Sequence, residues 1–170
     1  MAKGKKVSAS MVEMVEFVLP NDANALGSML GGKVMHLIDI AGAMAAQRHS
    51  RSYVATASVD QLDFLHPIRI GQMVLLKAIV TRAFRTSMEV EVHVFVEDVL
   101  TGERRQTSSA YLTFVALDRE GRPKQVPPLL LTTRKERLQY QEALLRRRAR
   151  LRLRRRHEAI LGKATTRSKK

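Results

Sequence analysis

One acid, one amide and a run of glycines stand out as residues that could do chemistry. Asp39 lies in the stretch from Lys33 to Gln47, among Leu37, Ile38, Ile40 and Ala41. A carboxylate in apolar company is costly unless it is paired or functional. Two readings are open: a structural contact with His36 three residues earlier on the same helix face, or an acid–base group. Upstream, GSMLGGKV comes within one residue of a phosphate-gripping loop. Gly27, Gly32 and Lys33 fit, but Val34 stands where a Ser or Thr hydroxyl must bind magnesium. An irregular segment precedes it and antiparallel strands follow, so the sheet a nucleotide hydrolase needs is missing. Gly31-Gly32 is better read as the opening of a helix. There the free backbone N–H groups and the positive end of the dipole suit an anion or a developing oxyanion. Asn24, in the loop before it, is by itself an ordinary turn residue.

Other chemistries lack their residues. The chain has no cysteine, which rules out a thiol nucleophile and a disulfide framework. No GxSxG elbow is present, and the five histidines, at 36, 49, 66, 93 and 157, show no metal spacing. No apolar run approaches the ~18 residues of a membrane span. The charged start, MAKGKKVSAS, has no apolar stretch behind it to make a signal peptide. These features point to the cytoplasm.

The elements that must position Asp39 and the glycines can be read from periodicity. Residues 1–10 are polar and basic and are expected to fray. MVEMVEFVL (11–19) reads as a strand and PNDANALGSML (20–30) as a loop. Lys33–Gln47 is apolar on nearly every side, which predicts a helix wrapped by the rest of the domain. Strand-like runs follow at 53–65, 72–84, 87–99 and 106–117. In the third, Met88, Val90, Val92, Val94 and Val96 alternate with Glu89, Glu91, His93 and Phe95. Short turns between them favour antiparallel pairing. The expected class is α+β: one antiparallel sheet around one long central helix, with a basic C-terminal helix added. A lone sheet has edges, so a homodimer that buries one of them is expected. The boundaries expected are 1–10, 11–128 for the domain, and 129–170 for a helical extension with a disordered end.

The net charge is +14, and its distribution decides what it means. Up to Thr133 there are 15 Lys and Arg against 13 Asp and Glu; beyond it there are 15 against 3. The basicity belongs to the tail. That tail offers one stacking ring, Tyr140, and no known nucleic-acid motif. No specific nucleic-acid partner is expected of it, only salt-sensitive electrostatics.

The order of these segments resembles the acyl-CoA thioesterases of the hot-dog fold. Asn24-Ala25-Leu26-Gly27, then Gly31-Gly32-Lys33-Val34-Met35 and Asp39, resembles that family's N-x-x-G…G-G-x-x-M…D signature. Ala57-Ser58-Val59-Asp60 with Asp63-Phe64-Leu65-His66-Pro67-Ile68 and Gly71 resembles its second segment. Arg85-Thr86-Ser87-Met88-Glu89-Val90 resembles its third. The resemblance spans about residues 10–118. It implies hydrolysis of acyl-CoA to a free acid and CoA, with Asp39 as general base or nucleophile. It also implies that Asn24 orients the thioester or water and that the Gly32 N–H polarises the carbonyl. No cofactor is implied, coenzyme A being part of the substrate. Arg85, Thr86 and Ser87 could hold its pantetheine or phosphates; a plain hairpin turn is the alternative. Gly32 and Asp39 are seven residues apart, about 10 Å of helix rise. The resemblance implies that two subunits share each site, with a hexamer built as a trimer of dimers. A non-catalytic acyl-CoA-binding module whose basic tail meets an anionic partner is the rival reading. A hot-dog dehydratase is a weaker one, since His66 sits in a turn.

Overall fold

Alternation builds the sheet. On β5 (Ser87–Glu97) Met88, Val90, Val92, Val94 and Val96 are buried on one face, while Glu89, Glu91, His93 and Phe95 occupy the other. The computed structural model describes residues 3–167, and for 61 and 161–167 the backbone alone. Around β5 stand β2 (Val12–Phe17), β3 (Tyr53–Phe64), β4 (Met73–Ala83) and β6 (Arg104–Leu117). All pair antiparallel, in the order β2–β4–β5–β6–β3. β2 and β3 are the edges.

One helix, α1 (Gly31–Ser50), crosses the apolar face of the sheet. Val34, Leu37, Ile38, Ala41, Ala45 and Ala46 are buried against it. The approach is close at Gly42, where a Cβ would stand 3.0 Å from the Phe114 ring. Glycine is what lets helix and sheet meet there. The helix is not wrapped on all sides as its composition predicts. Met35, His36 and Met44 are exposed, because a single sheet covers only one face of a helix.

The two ends also depart from expectation. The start is not frayed throughout: β1 (Lys5–Lys6) pairs in parallel with β7 (Leu129–Leu130), and Val7 and Ser10 are buried in the 3-10 turn between β1 and β2. The tail forms α2 (Arg134–Arg167), opened by a capping box. Thr133 Oγ1 accepts from the Glu136 N–H, and Glu136 Oε2 accepts from the Thr132 and Thr133 N–H groups. Helix therefore covers Ala164–Arg167, where a disordered end is expected; that expectation for Ser168–Lys170 falls outside the described residues.

The first half of α2 lies on the outer face of the sheet and is not merely solvated. Ala143 is fully buried there. Arg146 donates to the buried Glu89 carboxylate at 2.7 Å and stacks on Tyr111. Arg150 pairs with Asp60, and Gln139 donates to Glu91. Burial acts to raise the Glu91 carboxyl, but hydrogen bonds from His93, Tyr111 and Gln139 outweigh it and hold the group below the usual carboxylate range. Burial and the same hydrogen bond push Tyr111 up to about 12. From Leu151 to Ile160 every side chain is exposed. Among the described residues, no helix is long and apolar enough to cross a membrane.

Candidate active site

The loop before α1 is held rigid by its own amide. Asn24 Oδ1 accepts from the N–H groups of Leu26 at 3.0 Å and Ser28 at 3.1 Å. Gly27 completes the turn at φ +70°, a conformation that favours glycine. The loop is then clipped to the 66–72 turn. Met29 N–H donates to the Ile68 carbonyl, Ile70 N–H to that of Gly27, and Arg69 Nη1 to that of Leu26. With its oxygen committed to two backbone donors, Asn24 has only its NH2 group left to offer. It lines a cavity of about 350 Å³ together with Gly31, Phe64 and His66.

The opening of α1 lies beside this cavity. Lys33 and Val34 N–H groups return to the Leu30 carbonyl, and Leu30 carries no side-chain cap. The Gly31 and Gly32 N–H groups have no acceptor within the helix. A Cβ built on Gly32 would meet nothing within 4 Å. Packing within the chain thus gives no reason for glycine at this position. Lys33 is turned aside, its Nζ 3.0 Å from Asp22.

Two turns further on, Asp39 emerges half-buried on the uncovered side of α1. Its partner is not His36. Thr56, on edge strand β3, donates its hydroxyl to Asp39 Oδ1 at 2.6 Å. The bond fixes one carboxylate oxygen and leaves the other open. Thr56 is the residue that sequence reasoning missed. The signal available was its position: a hydroxyl on a strand, on the face that looks at the helix.

Arg85, Thr86 and Ser87 form the β4–β5 turn, closed by the Phe84 N–H bond to the Ser87 carbonyl. This turn is at the Tyr53 end of the sheet, whereas Asn24 and Gly31 are at the Phe64 end. One chain therefore brings Asn24 together with the helix-opening glycines, and Asp39 together with Thr56. It does not bring the two pairs to one point. Among the described residues no group of three or more His, Asp or Glu could hold a metal.

A sequence profile of the thioesterase superfamily matches residues 26–103. An uncharacterized acyl-CoA thioester hydrolase of Bacillus subtilis is 39% identical over 155 residues, 91% of this chain and 90% of its own. The chain belongs to the thioesterase superfamily.

Solved structures of the superfamily share the whole architecture. An acyl-CoA hydrolase from Staphylococcus aureus, in complex with butyryl-CoA, CoA and CoA disulfide, is 36% identical. It superposes with a TM-score of 0.85 over 92% of this chain and 96% of that one. A hexameric acyl-CoA thioesterase is 40% identical at the same TM-score, over 88% and 96%. The hot-dog fold expected from the sequence is thus the fold observed. The S. aureus hydrolase has also been solved with alanine in place of an Asn, an Asp and a Thr. Those three positions are 15 and 17 residues apart, the same separations as Asn24, Asp39 and Thr56. Mouse and rat acetyl-coenzyme A thioesterases also match, but this chain spans only 26% of each.

Proposed function

We propose that this chain hydrolyses acyl-CoA thioesters to the free acid and CoA, at a site shared by two copies of the chain. The observation that carries the proposal is the split described above. Asp39, held by Thr56, and the Asn24 amide with the Gly32 N–H are each poised, yet they are about 10 Å apart along one helix. Pairing two copies through the free β3 edge resolves the split. Antiparallel addition sets the Phe64 end of one β3 beside the Tyr53 end of the other. The Asn24 and Gly32 of one copy then approach the Asp39 of the second. The exposed apolar side chains around that edge, Leu26, Met35, Tyr53, Val59 and Phe64, support a contact there.

In this arrangement water attacks the thioester carbonyl while Asp39 takes its proton. The Gly32 N–H and the Asn24 NH2 face the oxygen that becomes negative. The C–S bond then breaks, CoA leaves as its thiolate and recovers the proton. Arg85, Thr86 and Ser87 hold the CoA. The hexameric relative supports three such dimers per assembly.

The test is release of CoA thiol from a series of acyl-CoAs by wild type, Asp39→Asn and Asn24→Ala. Each variant alone is expected to lose 100-fold or more in kcat, taking about 10²–10⁴ as the worth of general base catalysis. Co-expressed, the two variants should regain about a quarter of the wild-type sites, because each mixed dimer holds one intact site. No regain, with mixed assemblies demonstrated by mass, would place the whole site within one chain. CoA binding without turnover in wild type would make the chain a binding module.

A further inference from the structure

Helix α2 crosses the outer face of the sheet and leaves it at β3. Arg82 on β4 donates to the Tyr140 carbonyl. Arg146 pairs with Glu89 on β5 and stacks on Tyr111 of β6, and Arg150 pairs with Asp60 on β3. From Tyr140 to Arg150 the helix rises about 15 Å, and β4 and β3 are three strand spacings apart, about 14 Å. The helix therefore runs almost perpendicular to the strands. Residues 151–160, all exposed, carry it about 15 Å past the free edge. Beside it a groove of about 570 Å³ lies over that edge, lined by Ser58, Val59, Tyr111, Ala149 and Leu153.

The side of α2 that meets this groove is self-complementary. At about 100° per residue, Leu138, Glu142, Leu145, Ala149, Leu153, Arg156 and Ile160 share a sector of about 80°, roughly a quarter turn from the docked face. All are exposed. Their spacing is symmetric about Ala149. Reversing the helix there brings Leu145 onto Leu153, Leu138 onto Ile160 and Glu142 onto Arg156. Arg156 has no carboxylate among the described residues, and Glu142 has Arg146 only at 3.8 Å. Arg148, Arg152 and Arg155 lie on the side away from the sheet, and Arg146 and Arg150 are already neutralised by Glu89 and Asp60.

The dyad of the shared site falls at the same place. Asp39 is bonded to Thr56, and the helix opening lies against Phe64, whose ring a Cβ on Gly31 would meet at 3.5 Å. Antiparallel β3 edges that set Thr56 opposite Phe64 of the second copy are centred near Asp60, where α2 crosses. Packed helices stand about 8–10 Å apart, and the groove beside α2 leaves room for a second one.

We propose that α2 pairs antiparallel with α2 of a second copy across the β3 edge, clamping the two chains together on the face of the sheet away from the active sites. The inference rests on the shared-site reading and gives the C-terminal helix the task of fastening that dimer. The chain has no cysteine, so in Ala149→Cys the one disulfide that can form joins two copies. Mild oxidation should link most of this variant into covalent dimers, since side chains facing each other at the dyad come within the ~4 Å between Cβ atoms that a disulfide needs. Leu151→Cys, exposed on the other side of the helix, should stay largely unlinked. Equal linking of the two variants, or none in Ala149→Cys, would overturn the clamp. Sedimentation of the unoxidised protein separates the two readings. Dimers or larger assemblies without linking of Ala149→Cys would keep the shared site and remove the clamp; monomers would remove both. Charge reversal gives a second measure. Glu142→Arg and Arg156→Glu should each weaken self-association about tenfold, and the double variant should recover it. The two positions are about 21 Å apart along one helix, so recovery can come only across copies. A double variant as weak as the single ones would also dispose of the clamp.

Discussion

A methyl group added at position 32 would touch nothing in this chain, and that makes Gly32 a clean probe. Gly32→Ala should leave the melting temperature no lower, because Ala is favoured over Gly in a helix by up to about 1 kcal/mol. Thioester turnover should fall at least tenfold, since the space a Cβ would fill is the space proposed for substrate. A stable variant with full turnover would remove Gly32 from the site. On the proposed function, Asn24 would be both a turn former and a reagent. Its oxygen organises the loop and its NH2 group remains free. The sequence shows an Asn in a loop; which end of the amide is used is settled by backbone donors that only the folded turn brings together. Asp39 was conspicuous because its neighbours in the chain are apolar. Thr56 was not, because a threonine in a strand is unremarkable until the helix carboxylate is seen 2.6 Å away.

The strands were readable because apolar side chains recur at their period, and α1 because Lys33–Gln47 is apolar on nearly every side. The docking of α2 was not, because its inward face carries Gln139, Tyr140, Arg146, Arg147 and Arg150. Its leucines at 138, 145, 151 and 153 are exposed. Ion pairs and cation–π stacking hold this helix down, and they leave no hydrophobic stripe. They also make the helix vulnerable at one buried group. Glu89 accepts from Thr81 at 2.8 Å and from Arg146 at 2.7 Å, with a side chain 1% exposed. Glu89→Ala leaves the Arg146 guanidinium only the more distant, more exposed Glu142 carboxylate, at 3.8 Å. It should cost about 3 kcal/mol, the low end for a broken buried pair because Arg146 is 24% exposed. Chemical denaturation at fixed protein concentration would measure it. Cleavage within α2 by trypsin should accelerate alongside; a loss under 1 kcal/mol would mean the helix is held elsewhere.

At the scale of the whole molecule, the proposed pairing would cover the uncovered side of α1 and the free edge of β3 with a second copy. Met35 is 48% exposed on that side. Met35→Lys should shift the assembly toward monomer in sedimentation and remove activity with it, because burying a lone ammonium costs several kcal/mol. Unaltered mass would leave the α1 face open to solvent and require another interface. Free edges could be read from the sequence, since a single antiparallel sheet has two; which of them a second copy would use could not. The consequence reaches beyond mutation. An unpaired strand accepts any backbone of matching pattern. A short peptide copied from β3 would compete with the second copy for that edge. It would act as an inhibitor that resembles no thioester and loses potency as the enzyme concentration rises.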